Sequence, residues 1–260
     1  MDLSELITIH VCTLIVIVVS LILARELWKR YRRIKKSLVA PSIFKSNLRQ
    51  NLYSPYRNNF LTSSLLLFIY VFSILITHIA AFLYRFPTPE VNLVSYTGLL
   101  IPAIGIGGCG FIPYPGALFS IYLLEPKRKN LWIIFVSLLE AIYIASLVIY
   151  PPAYVEVREG VFEWTTIEAA AQTIYLTLII AAVPVALFIA FAIKSKDKRN
   201  RAKGIFLAIS FAMLAFFVTV CDGIGGYVPI GIRRVFIAVA VVLLYLGFVM
   251  PSWLSNILKV

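Results

Sequence analysis

The chain is 260 residues long, 61% hydrophobic and 14% charged, with a mean hydropathy of +0.92. No soluble domain of that length hides so much apolar surface, so the composition describes an all-α integral membrane protein and excludes a water-soluble enzyme. The formal net charge of +12 is unevenly distributed, and that asymmetry carries more information than its total.

Seven apolar segments follow one another at about 6–24, 61–84, 94–123, 131–150, 167–193, 204–221 and 234–254. Each approaches the roughly 20 residues that a helix needs to cross the hydrocarbon core. The first begins after Asp2 and Glu5 with no basic leader, which reads as an uncleaved helix and not as a signal peptide. A basic connection, 25–60, follows it directly with ten Lys and Arg residues. Cationic loops stay on the cytoplasmic side, so the N-terminus is expected outside. The alternate connections agree. Lys127, Arg128 and Lys129 lie in one, Lys194, Lys196, Lys198, Arg199, Arg201 and Lys203 lie around the next, and Lys259 lies in the tail. Only Arg85, Arg158, Arg233 and Arg234 fall on the opposite side, accompanied there by Glu90, Glu156, Glu159 and Glu163. The expectation is a single seven-helix transmembrane domain over 1–260, with the C-terminus cytoplasmic. Trp28, Trp132, Trp164 and Trp253 stand near the segment ends, where indole rings suit the headgroup zone.

In the first connection, residues 25–36 are expected to prolong the first helix, with Leu27, Tyr31 and Ile34 as an interfacial stripe. Lys29, Arg30, Arg32, Arg33, Lys35 and Lys36 there are candidates for binding a partner or membrane lipid. Anionic lipid attraction, worth about 1 kcal/mol per basic residue near the surface, accounts for much of that composition. The loop's length, with Tyr53 and Tyr56 near its end, leaves room for a cytoplasmic partner or a polyanion.

The third segment breaks the usual rules. From Pro102 to Gly116 it reads PAIGIGGCGFIPYPG. Proline removes a backbone donor and glycine weakens a helix, and freed backbone groups cannot face lipid. Such a stretch either lines a cavity as a broken helix or is a kinked helix packed closely through its glycines. Gly105, Gly107, Gly108 and Pro113 are therefore pathway candidates. Gly105, Gly107 and Gly110 match GxGxxG, but no strand precedes them, so a nucleotide site is excluded.

Glu140 lies near the middle of the fourth segment. A mid-membrane carboxylate is costly and is expected to face the bundle interior, as a proton or ion site or as a neutral acid bonded to a neighbouring helix. Tyr70, His78 and Tyr175 are its candidate partners. Glu168 suits a helix N-terminus, and Pro184 is expected to kink the fifth segment. Beyond the sixth segment, DGIGGYVPIGI (Asp222 to Ile232) echoes the third, and Asp222 and Gly225 join the pathway candidates. The two Gly-rich stretches are expected to meet as an outer vestibule. Asp222 with Arg233 and Arg234 reads more simply as a surface ion cluster, worth about 0–1 kcal/mol.

Cys12, Cys109, Cys221, His10 and His78 are scattered singly, so no metal site or cofactor is expected. There is no Walker A, HExxH or nucleophile motif, and the last segment has no Lys for a retinal Schiff base. Two classes remain: a pathway protein, or a seven-helix sensor acting through a separate cytoplasmic partner.

The seven segments, the ARELWKRYRRIKK run at 24–36 and the IGIGGCGFIPYPG stretch at 104–116 resemble the polytopic membrane subunit of the crenarchaeal DNA-exchange (Ced) import system. That resemblance implies a membrane conduit for incoming DNA, working with small membrane subunits and a separate ATPase. A small-solute or ion-coupled transporter is the other pathway reading.

Overall fold

The computed structural model describes residues 3–39, 47–84, 113–125, 127–149, 153–158, 161–165, 168–220 and 230–257. Its helices are α1 (Leu3–Val39), α2 (Asn47–Tyr84), α3 (Pro113–Leu124), α4 (Lys129–Ile149), α5 (Glu168–Lys194), α6 (Lys198–Leu214), α7 (Ile230–Val249) and α8 (Ser252–Ile257). Among the described residues, five spans, in α1, α2, α4, α7 and α6 with the turn after it, are long and apolar enough to cross a membrane, and Leu178–Lys194 of α5 is a shorter apolar helix. Many of their outward side chains are large and apolar, as a lipid-facing surface requires.

α1 and α2 are much longer than their apolar portions, at 37 and 38 residues. α1 carries straight on through the basic run to Val39, as Leu27, fully buried, and Tyr31 on the stripe predict. Trp28 anchors the pair, stacking on Tyr31 at 5.4 Å and meeting Phe68 of α2 at 5.3 Å.

α5 and α6 form an antiparallel hairpin. Asp197 caps α6 by accepting a hydrogen bond from the Arg199 amide. Gly204 lets the two helices close, since a Cβ there would sit 3.0 Å from the Ala192 Cβ. α6 also runs antiparallel to α7, where Ser210 donates to the Ala240 carbonyl at 2.8 Å and Gly247 accepts the Leu207 side chain. α6 widens into a π-helix at Ala215–Val220, and Phe217 there stacks flat on Phe236 at 4.4 Å. α7 ends at Met250, whose φ of 46° turns the chain ahead of Pro251, and Arg199 donates to the Met250 carbonyl. A cation at a helix C-terminus is favourably placed.

The centre of the bundle is a run of aromatic rings from four helices. Phe119 of α3 meets Phe188 of α5 at 5.8 Å, Phe188 stacks on Phe211 of α6 at 5.7 Å, and Phe211 meets Tyr70 of α2 at 5.2 Å. A smaller cluster joins α3, α4 and α5 through Ala117, Ile121, Val136, Ile180 and Val183.

The helical architecture is not pure. The connection between the fourth and fifth apolar segments contains an antiparallel hairpin, β1 (Ala153–Arg158) with β2 (Val161–Thr165), in which Tyr154 opposes Trp164 and Val155 opposes Glu163. Its sequence alternates apolar and charged residues, which suits a two-sided ribbon better than a helix. Pro184 lies inside α5 without ending it.

Candidate functional site

Glu140 is the most unusual side chain in the described part of the bundle. It lies on the face of α4 that carries Val136 and Tyr143, one helical turn to either side, and it is 4% exposed. Neither carboxylate oxygen receives a hydrogen bond from the described residues. Of the partners suggested by the sequence, Tyr70 belongs to the aromatic run and Tyr175 is exposed, so neither satisfies Glu140. The His78 side chain lies outside the described residues.

One turn before Glu140, a hydrogen bond ties α4 to another helix. The Tyr114 hydroxyl and Ser137 Oγ are hydrogen-bonded at 2.7 Å, fixing the first turn of α3 against α4. Glu140 is one turn further along α4, about 4.5 Å beyond that contact at 1.5 Å rise per residue. α3 runs antiparallel to α4, so Glu140 is displaced from that contact in the direction of the α3 N-terminus. That end bears a partial positive charge, which favours an anionic neighbour. Pro113 and Pro115 supply no amide hydrogen, leaving Tyr114 and Gly116 as the donors of the first turn. Among the described residues, Glu140 is thus buried with no donor to either oxygen.

α3 is held firmly in this position. Its Gly116 approaches so closely that an added Cβ would lie 2.9 Å from Phe211 and 3.0 Å from Tyr70. Pro113, Pro115 and Gly116 are all buried. Pro113 is the first described residue of α3, whereas Gly105, Gly107, Gly108, Asp222 and Gly225 lie outside the described residues.

Arg233 differs from the surface-cluster expectation. It sits in the second turn of α7, 1% exposed, and is the largest fully buried side chain described. Its face continues through Ile237, Ala240, Val241 and Leu244, all buried. The i, i+4, i+7 spacing of that stripe runs back to Arg233 and was visible in the sequence.

The basic run after the first apolar segment is divided in its contacts. Lys29 pairs with Glu26 at 2.8 Å, and the Arg30 guanidinium lies over the Phe248 ring at 4.7 Å. Arg32, Arg33 and Lys35 are exposed, and the Lys36 side chain lies outside the described residues. Lys129, from the next basic connection, donates to Asn59 Oδ1 at 2.7 Å and lies 5.4 Å from the Tyr122 ring. Among the described residues no group of three His, Cys, Asp or Glu side chains is placed to hold a metal.

Compared with known proteins, the chain matches no family model, no curated protein and no solved structure.

Proposed function

We propose that this chain is a multi-pass cell-membrane pathway protein, with seven crossings, an external N-terminus, a cytoplasmic C-terminus and Glu140 as its working group. One observation carries the reading: Glu140 is buried at mid-helix, with both oxygens unpartnered among the described residues. A charged carboxylate at the centre of a membrane helix costs about 2.5–3.5 kcal/mol on insertion scales. Uptake of a proton or cation removes most of that cost, and its release restores it. Loading and unloading of this kind is the chemistry of coupled transport. Proteoliposomes containing the full chain and a trapped pH-sensitive dye should acidify under an imposed membrane potential. Glu140→Gln should lower the rate at least tenfold, and an unchanged rate would remove Glu140 from the mechanism.

The resemblance to the Ced membrane subunit extends this reading to DNA as the cargo, with other membrane subunits and a separate cytoplasmic ATPase as partners. The packing constrains that version. Tyr70, Phe119, Phe188 and Phe211 fill the middle of the described bundle, and an ionised Glu140 repels phosphates. A DNA strand would therefore pass between chains, not through one, with the exposed Arg32, Arg33 and Lys35 available to its backbone on the cytoplasmic side. Deleting the gene should reduce DNA uptake by cells at least tenfold, and uptake at the parental level would sink the DNA version while leaving coupled transport standing.

A further inference from the structure

An open groove of about 560 Å³ lies between α5 and α6, away from Glu140. Its floor is made of small residues, Ala192, Ala208 and Ala212, and Ile189 and Ile205 form its walls. One end is different, because Arg201 lines it. Arg201 Nη2 donates to the Ser195 carbonyl at 3.2 Å, which ties the guanidinium to the α5–α6 turn. That bond uses one of five N–H groups, and a guanidinium fork is suited to bidentate contact with phosphate.

Two magnitudes identify the occupant. From Arg201 to Ala212 the groove follows eleven residues of α6, about 16 Å at 1.5 Å per residue. One leaflet of a hydrocarbon core about 30 Å thick is about 15 Å deep. The groove is thus one leaflet long, apolar along its length and cationic at the end where a headgroup would sit. The surrounding turn adds Lys194, Lys196, Lys198 and Arg199 against one acid, Asp197. A neutral helix from another subunit would match the apolar length but leave this charge uncompensated.

The geometry points to a binding site for one anionic phospholipid, its acyl chain in the α5–α6 groove and its phosphate on Arg201. The site is independent of the transport reading, and lipid retention reads it without any flux measurement. In native mass spectrometry of the full chain released from detergent, phosphatidylglycerol should be retained at least threefold more than phosphatidylcholine with the same acyl chains. Arg201→Gln should bring the two lipids level, and Arg201→Lys should restore part of the preference. Ala212→Phe, at an exposed position on the groove floor, should abolish retention of both; Ile205→Trp serves the same purpose if that variant does not fold, as judged by circular dichroism. An undiminished preference in Arg201→Gln, or full retention in the filled grooves, overturns the proposal. So does a wild-type chain that keeps neither lipid but forms an oligomer that Ala212→Phe disrupts, because a protein helix then occupies the groove.

Discussion

Three residues show what single side chains reveal in a sequence of this kind. Glu140 was legible because any mid-helix carboxylate in an apolar segment stands out, and the structure adds its burial and the absence of a donor among the described residues. Arg233 was misplaced because an Arg-Arg pair beside a Gly-rich stretch looks like a helix boundary, although the buried stripe continues through it. Gly116 was noticed for weakening a helix, yet its value here is space. Phe211 and Tyr70 stand where its Cβ would go, and both are rings packed into the aromatic run, with little freedom to withdraw. Overpacking of such a site costs about 1–3 kcal/mol. Gly116→Val should therefore lower the thermal unfolding midpoint of the detergent-solubilised chain by several degrees, and a midpoint at or above that of the parent would mean that α3 packs elsewhere.

At the scale of elements, apolar run length located the helices but not their ends. α1 and α2 extend well past their apolar portions, since basic and polar residues such as Lys, Arg, Gln and Asn do not stop a helix outside the membrane. The β1–β2 hairpin was written in the alternation of YVEVR and VFEWT, a period-2 signal that a search for apolar runs passes over. The π-helix at Ala215–Val220 had no such signal. It depends on Phe217 meeting Phe236 of a different helix, and a contact between distant segments leaves no local pattern. Of the third segment, the described part is the helix from Pro113, where proline is tolerated in a first helical turn, and the Gly-rich part lies outside the described residues.

For the whole molecule, loop charge predicts direction. α5, α6 and α7 alternate in direction, as α3 and α4 do, so the described packing is compatible with threading the chain back and forth. In a background without Cys12, Cys109 and Cys221, Arg158→Cys should react with an impermeant thiol reagent applied to intact cells. Lys127→Cys should react only after permeabilisation. Cysteines at Gly107 and Gly225 should join the first group if the Gly-rich stretches shape an outer vestibule. Labelling of Lys127→Cys in intact cells would reverse the orientation. Residue types and spacing thus predict a direction for each segment and single out the acid, whereas the α5–α6 groove needs two helices side by side.

The length of α1 has one more consequence. Its 37 residues make a rod about 55 Å long, of which the part beyond the first apolar segment, after Ala24, accounts for about 20 Å. Trp28 fastens that rod to α2 near the level at which Arg30 rests on Phe248. Because α1 packs against both α2 and α7, a sideways load on its projecting basic end is carried into both helices at this junction.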